Sequence, residues 1–271
     1  MSAIKSENYY RCKSKNAKNA FTLVELLVVV SVIALLISIL IPVLSRARKS
    51  ARRIACASNL HQVSLALTVY ATNDSRGRLP ESNGYTCKYI PMSAYKSLSS
   101  IADTTKIMVC PEYTLFRNVT ITDLSEPELN RTYKWEPFPS SYDDGKGMWI
   151  GYFYLGGRDL SDWDWRFMPP DANKWVSPLK LSDSGALPVM VDLIEQASGQ
   201  WFWVEAVHRR GGYALTYFGA NPPEPDEVGA EGGNSLHLDG SVVWKKIGDL
   251  KKYPRSKPGY YRSFGYWYYP G

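Results

Sequence analysis

The residues of this chain that could support catalysis are a few histidines and carboxylates in its C-terminal third. Asp192, His208 and His237 could in principle join a serine in a hydrolytic triad. The sequence has neither a Gly-x-Ser-x-Gly nucleophile elbow nor a His-Glu-x-x-His zinc motif, however. Outside such motifs, buried histidines usually serve as hydrogen-bonded structural groups. We therefore predict that the protein is not an enzyme.

Carboxylates are also concentrated in an acidic, proline-rich stretch over residues 221–231 and at the Asp-Gly pair that follows it. Their spacing matches no compact calcium loop such as the EF-hand, so a solvated loop is the expected structure. A calcium site is the alternative, and no other cofactor is predicted. The four residues that could supply its oxygen ligands are Asp226, Glu227, Glu231 and Asp239.

Thiols offer a third kind of chemistry. The four cysteines show no CxxC or zinc-ligand spacing and are too few for a disulfide scaffold. Cys87 and Cys110 could form a disulfide that closes a 24-residue loop, which the chain-entropy model values at about 3 kcal/mol. Cys56 is predicted to be a small packing residue on a helix.

The element that stands out in the sequence is an apolar run headed by one acid. Leu26 to Leu44 are nineteen residues without a charge, which at about 1.5 Å per helical residue is close to the thickness of a bilayer. Glu25 precedes them directly. A carboxylate at the edge of such a helix is costly in a membrane, so it indicates a function and a partner.

Residues 18–27, Lys-Asn-Ala-Phe-Thr-Leu-Val-Glu-Leu-Leu, resemble the signal of type IV prepilins and of type II secretion pseudopilins. The resemblance implies that a prepilin peptidase cuts between Ala20 and Phe21 and methylates the Phe21 amine. It also implies that Glu25 pairs with the Phe21 amine of a neighbouring subunit. An uncleaved signal anchor is the alternative, whereas an ordinary signal peptide has a shorter apolar core.

Charge is distributed very unevenly. Residues 1–53 carry ten Lys or Arg and two acids, so the remaining 218 residues carry 22 basic and 24 acidic side chains. The net charge of +6 thus comes from the N-terminal part, which argues against a nucleic-acid-binding surface and favours lipid head groups as the counter-charge. Basic residues lie on both sides of the apolar run, so the orientation with the leader in the cytoplasm rests on the prepilin resemblance.

These observations predict four segments. They are a leader over residues 1–20, a transmembrane helix over 21–44, a continuation of that helix outside the membrane over 45–73, and a globular head over 74–271. Pro42 should kink or loosen the helix, and Asn73, Asp74 and Gly77 should end it. Helical spacing favours one buried stripe on the continuation, made of Leu44, Ala47, Ala51, Ile54, Ser58, Leu65 and Val69.

The head is predicted to be an α+β module, in which the long N-terminal helix packs on a small antiparallel sheet with long loops. Asp239-Gly240, between two apolar alternating runs, predicts a two-residue type I′ hairpin. Asp192, His208 and residues 233–244 also resemble a His…Asp-Gly element found in a group of pseudopilin-like proteins. Further strands are expected over 106–110, 148–155, 187–191, 200–207 and 213–217.

All nine tryptophans follow residue 130. We expect them to fill the core and pack loops, and the alternative is an aromatic platform that recognises a glycan or a partner protein.

The sequence as a whole therefore favours a pseudopilin-like filament subunit with a single pass through the bacterial inner membrane and its head in the periplasm or outside. Its expected partners are further copies and other pseudopilins, the prepilin peptidase and the assembly platform of a type II secretion system. A pilin-anchored surface-binding module is the alternative, and a membrane-anchored enzyme is the third class.

Overall fold

The computed structural model describes residues 22–82, 87–102, 107–112, 147–158, 175–199, 202–210, 214–218, 222–254 and 261–267. The chain divides into two compact units, residues 1–48 and residues 49–271. The second unit contains the C-terminal part of the long N-terminal helix and all the strands found among the described residues.

Helix α1 covers Leu23–Asn73 and is the longest element. Its N-terminal part is apolar and exposed, and by length and composition it is able to cross a membrane. The helix continues through Pro42. It ends where predicted, because the Asp74 carboxylate accepts hydrogen bonds from the backbone of Arg76 and Arg78, and Gly77 adopts a φ of 64°.

The buried face of α1 differs from the predicted stripe. Ile54, Leu65 and Val69 are exposed. The side chains that pack against the head follow a different 3–4 spacing, offset around the helix from the predicted one. They are Cys56, Leu60, Val63, Ser64, Ala66, Leu67 and Ala71. The prediction failed because both stripes have helical periodicity, and Cys56 and Ser64 made the correct one look more polar.

The other regular elements of the described residues are three antiparallel sheets, a short helix α2 at Met92–Ser99 and a 3-10 helix at Ile247–Asp249. The small sheet pairs β1 (Tyr89–Pro91) with β2 (Gly147–Trp149). The four-stranded sheet has the order β3-β4-β8-β9, with β3 at Tyr152–Tyr154, β4 at Pro188–Asp192, β8 at Gly232–His237 and β9 at Val242–Lys246. The five-stranded sheet has the order β10-β11-β5-β6-β7, with β5 at Ile194–Gly199, β6 at Phe202–Ala206, β7 at Ala214–Phe218, β10 at Lys251–Pro254 and β11 at Tyr261–Trp267.

The α+β prediction is confirmed, with local corrections. The strands predicted over 187–191, 200–207 and 213–217 correspond to β4, β6 and β7. The run over 148–155 is divided between β2 and β3. The run over 107–110 is not a strand. Residues 107–109 form a short turn that begins with the helical residue Ile107, Cys110 follows it, and all four side chains are buried. A short apolar run does not distinguish a strand from a buried helical segment.

The Asp-Gly hairpin joins β8 to β9 as predicted, but its loop has three residues. His237 donates its backbone N–H to Ser241, and Gly240 donates to the His237 carbonyl, which leaves 238–240 as the loop. Gly240 has a φ of 84°. A type I turn followed by a left-handed glycine is the usual form of such a loop. The Asp239 carboxylate accepts a hydrogen bond from the Ser241 backbone, which secures the turn.

The main core lies between the buried face of α1 and the four-stranded sheet. β3 and β4 contribute consecutive buried side chains on both faces. Tyr152, Phe153 and Tyr154 are among its largest members. This packing places the middle of α1 directly against one row of polar residues on the sheet, described below.

Candidate functional sites

The first site is the start of helix α1, where Thr22 and Glu25 form a reciprocal cap. The Glu25 Oε2 atom accepts hydrogen bonds from the Thr22 backbone N–H and from Thr22 Oγ1, both at 2.8 Å. Thr22 Oγ1 in turn accepts the Glu25 backbone N–H at 3.2 Å. This is the Thr-x-x-Glu capping box, which satisfies amide groups that a helix start leaves unpaired. Ala20 and Phe21 lie outside the described residues.

The capping box was readable in the sequence and was missed. Thr22-Leu-Val-Glu25 immediately before an apolar run is a helix-start signal. Glu25 therefore has two attributes: it caps its own helix, and it is the one acid at the head of the apolar segment. Both side chains are exposed, so the carboxylate is accessible to another chain.

The second site is a buried polar cluster in the head, formed by Cys56, Cys110, Asp192 and His208. Cys56 comes from the buried face of α1 and Cys110 from the end of the short turn over 107–109. Asp192 is the last residue of β4, and His208 lies just beyond β6. Each of the four side chains is at most 1% exposed. They are distant in sequence, so only the fold brings them together.

Distances within the cluster are short. His208 Nε2 lies 3.0 Å from Asp192 Oδ2, and the Cys56 thiol donates to Asp192 Oδ1 at 3.2 Å. Cys110 Sγ lies 3.8 Å from His208 Nε2. One thiol, carboxylate or imidazole atom from each of the four residues lies within 4.8 Å of the others.

Strand register explains how the sheet contributes to this cluster. Tyr152 is paired with Asp192 across β3 and β4, and Asn234 is paired with Trp244 across β8 and β9. Asn234 donates both its backbone N–H, at 2.6 Å, and its side-chain amide, at 2.8 Å, to Asp192 Oδ2. Directly paired residues share one face of a sheet, and these contacts bring the two pairs into one row. The Trp244 ring meets the His208 ring edge-on at a centroid distance of 5.1 Å.

Burial and mutual charge set the ionisation of the cluster. Burial opposes ionisation of Asp192, but the His208 charge and hydrogen bonds hold its pKa below the ordinary value. Burial likewise disfavours the His208 cation, but the negative charge of Asp192 outweighs this effect of burial and raises the His208 pKa. Burial raises the pKa of Cys56. Burial also opposes ionisation of Cys110, but hydrogen bonds with Cys56 and His208 and the His208 charge lower the pKa of Cys110 to about 7.

Comparison with known proteins bears on the first site. Residues 15–41 match the prokaryotic N-terminal methylation motif. This methylation motif covers Ala20, Phe21 and Glu25, so the resemblance of the N-terminal segment to a type IV prepilin signal is confirmed. None of the curated proteins and none of the solved structures matches the chain. The methylation motif ends before the head begins, and the His…Asp-Gly resemblance stays a prediction.

The carboxylates predicted as possible calcium ligands do not belong to the buried cluster, although the Glu231 backbone N–H donates to the His208 carbonyl at 2.9 Å. Glu231 forms ion pairs with Lys49 and Arg53 of α1. The Asp226 carboxylate accepts a hydrogen bond from the Glu227 backbone, and Glu227 accepts one from the Glu224 backbone. Among the described residues, the group with metal-ligand geometry is the buried cluster and not this loop. Calcium binding by the loop stays a prediction.

The cysteines are arranged differently from the predicted disulfide. All three head cysteines are buried thiols, and the structure has no bond between Cys87 and Cys110. The reason is geometric: the Cys110 thiol faces His208 and Cys56, because the turn over 107–109 directs it into the cluster. Cys56 is therefore more than the packing residue that was expected.

His208 and Asp192 were considered in the sequence analysis, and the structure joins them, whereas His237 lies elsewhere, beside Ser241. Glu112, Tyr152 and Asn234 complete the surroundings and were not anticipated, since no local spacing relates them. Of the nine tryptophans, Trp175 and Trp244 have described side chains, the first buried and the second partly buried. The side chains of the other seven tryptophans lie outside the part of the structure that is described.

Proposed function

We propose that this protein is a pseudopilin-like filament subunit of the bacterial inner membrane, cleaved between Ala20 and Phe21, N-methylated on Phe21 and assembled through its N-terminal helix. The observation that carries the proposal is the methylation motif at residues 15–41 followed by a long apolar helix headed by Glu25. Proteins with this motif are structural subunits, which supports a mechanical role over an enzymatic one.

Assembly follows from the chemistry of the new amino terminus. Removal of the leader leaves a positively charged amine on Phe21, next to the Thr22–Glu25 capping box. Within a low-dielectric environment a lone carboxylate and a lone amine are each costly, and together they are tolerated. The packing of a subunit in the membrane is therefore most favourable when its Glu25 lies next to the Phe21 amine of a neighbour. This pairing fixes the axial offset between the two helices. Before assembly, the capping box holds the Glu25 carboxylate in one position.

The exposed side of α1 supports lateral packing between subunits. Ile54, Leu65 and Val69 project from the part of α1 that belongs to the head unit, and they are exposed there. On the same stretch, Lys49 and Arg53 are neutralised by Glu231, which reduces the like-charge repulsion that adjacent helices would feel. Apolar exposure on a helix that is otherwise packed indicates a contact surface.

We further propose that the filament serves type II protein secretion. The subunit then assembles with copies of itself and other pseudopilins on the inner-membrane assembly platform, after processing by the prepilin peptidase. Its head lies in the periplasm, where a growing short filament acts as a piston on secreted cargo. A pilin-anchored surface-binding module is the competing function.

The test replaces Glu25→Gln, which keeps the size and hydrogen-bonding capacity of the side chain and removes its charge. Membranes that carry the full chain are treated with a lysine-reactive cross-linker and multimers are separated by size. We expect multimers to fall at least about tenfold while membrane insertion is unchanged, because loss of a buried charge partner costs several kcal/mol.

Thr22→Ala is the matched control. It removes the capping hydroxyl and leaves the Glu25 charge, so multimers should form nearly as well as in the parent. Equal multimer yields for Glu25→Gln and the parent would contradict the proposal and would leave the helix as an anchor for the surface-binding alternative.

A further inference from the structure

The buried cluster in the head has the composition of a metal centre. We propose that Cys56, Cys110, Asp192 and His208 bind one zinc ion through two thiolates, a carboxylate and an imidazole nitrogen. Neither the methylation motif nor the proposed assembly function involves these residues, so the inference stands independently of both.

Four ligands within 4.8 Å of one another are close to the spacing that zinc requires. Zinc bonds of about 2.0 to 2.3 Å in a tetrahedron place ligand atoms about 3.2 to 3.8 Å apart. Two of the observed distances are already at or below that range, 3.2 Å between Cys56 Sγ and Asp192 Oδ1 and 3.0 Å between Asp192 Oδ2 and His208 Nε2. The third, between Cys110 Sγ and His208 Nε2, is 3.8 Å.

The donor set favours zinc over harder cations. Calcium and magnesium prefer six or more oxygen ligands, whereas two thiolates with an imidazole select zinc among the common divalent ions. The ligands come from four separate parts of the chain and are almost completely buried. A tetrahedral site closed by four protein ligands has no open position for water or substrate, so the ion has a structural role.

Surrounding groups are placed as the outer partners of a metal site. His208 presents Nε2 to the cluster, and its Nδ1 lies 3.4 Å from Glu112 Oε2. Both Nδ1 of His208 and Oε2 of Glu112 are buried without a hydrogen bond of normal geometry. In zinc proteins a carboxylate commonly accepts the second N–H of a ligating histidine and fixes its tautomer. His208 Nδ1 and Glu112 Oε2 are the two atoms that would form this hydrogen bond in the zinc-bound protein.

The remaining ligands are held in the same way. Asn234 donates two hydrogen bonds to Asp192 Oδ2, and the Tyr152 hydroxyl lies 3.3 Å from Cys56 Sγ. Fixed ligands of this kind lose little conformational entropy when the ion binds.

Charge is also balanced around the proposed ion. Two thiolates and a carboxylate exceed the charge of Zn²⁺ by one. Arg52 lies 3.8 Å from the Glu112 carboxylate, and the Arg53 guanidinium lies 4.3 Å from the centre of the Trp244 ring that borders His208. Arg52 pairs with Glu112, and Lys49 and Arg53 pair with Glu231, so these three cations exceed the two carboxylates by one positive charge. That charge offsets the surplus negative charge of the ligands, which would otherwise be costly at a buried site.

Metal content of the full chain, purified in detergent without metal-affinity chromatography, is the direct test. We expect about one zinc per chain, retained on dialysis and removed by a strong chelator with a fall in Tm that added zinc alone reverses. The cobalt(II) form should show the intense visible bands of tetrahedral coordination and a thiolate-to-metal charge-transfer band.

Cys110→Ser should abolish zinc retention, and Cys87→Ser is the matched control because Cys87 is equally buried and lies outside the cluster. Glu112→Gln leaves all four ligands in place, so it tests the site even if Cys110→Ser does not fold. We expect it to weaken zinc binding by about 10- to 100-fold in competition with a chelator.

Three results would overturn the proposal. They are parent protein that neither contains zinc nor binds added zinc, zinc retention unchanged by Cys110→Ser, and a Cys56–Cys110 disulfide in parent protein isolated without reductant. The last would mean that the two thiols are partners of each other. Failure of the Glu25 cross-linking test would leave these results unaffected.

Discussion

At the scale of single residues, the fold shows the surroundings of two acids that the sequence already marks as candidates. Glu25 caps its own helix through Thr22 before any partner is present. Asp192 is surrounded by His208, Cys56 and Asn234, and its local sequence records none of these contacts. In both proposals the function depends on charges in buried or membrane surroundings, where removing one charge has a large effect.

Glycines allow a sharp residue-scale prediction. Gly157 has a φ of 62°, and a Cβ atom there would lie 1.8 Å from the Pro80 carbonyl oxygen. Gly77 has a similar φ of 64° with nothing within 4 Å. Gly157→Ala should therefore lower the free energy of unfolding by more than about 3 kcal/mol, and Gly77→Ala by about 1 to 2 kcal/mol.

Gly248→Ala serves as the control, because a Cβ at that position meets nothing within 4 Å and the backbone needs no positive φ. It should change stability by less than about 0.5 kcal/mol. The measurement is denaturant or thermal unfolding of the full chain in detergent. If the Gly157→Ala protein were as stable as the Gly248→Ala protein, the close contact between the backbone of Gly157 and the Pro80 carbonyl would be wrong.

At the scale of elements, the sequence predicted which segments form helices and turns better than it predicted which face of a helix is buried. The long helix, its end near Asp74 and the hairpin at Asp239-Gly240 were predictable because capping and turn chemistry are local. The buried face of α1 was not, since Leu60 and Leu65 both fit a helical stripe and only the position of the sheet selects between them. The three-residue hairpin loop depends on contacts of the loop backbone with Gly185 and Leu187, which no local pattern records.

Leu60 and Leu65 test which face of α1 is buried. Leu60 is fully buried and Leu65 is 57% exposed on the same helix. Leu60→Ala should cost about 2 to 5 kcal/mol of unfolding free energy, whereas Leu65→Ala should cost less than about 0.5 kcal/mol. Unfolding curves of the two full-length variants check this. The reverse order would restore the stripe expected from the sequence.

Leu65 has a second readout, because the proposed assembly uses the exposed side of α1. Leu65→Asp should leave unfolding unchanged and reduce cross-linked multimers, since a charge is placed in an apolar contact between subunits.

At the scale of the whole molecule, the N-terminal signal and the α+β class could be predicted from the sequence. The signal was predictable because it is a contiguous motif. The head cluster escaped prediction for the opposite reason: Cys56, Cys110, Asp192 and His208 are spread over more than 150 residues and meet only in three dimensions. The N-terminal segment can thus be recognised from the sequence alone, whereas the buried polar cluster of the head becomes apparent only in the folded structure.

The proposed assembly requires that the chain is processed as a pilin-like subunit. Intact-mass analysis of the full chain, expressed together with a prepilin peptidase and extracted from membranes, is the direct test. We predict loss of residues 1–20 and the addition of one methyl group, located on Phe21 by fragmentation. A species that retains Met1 and carries no methyl group, in the presence of an active peptidase, would contradict this processing.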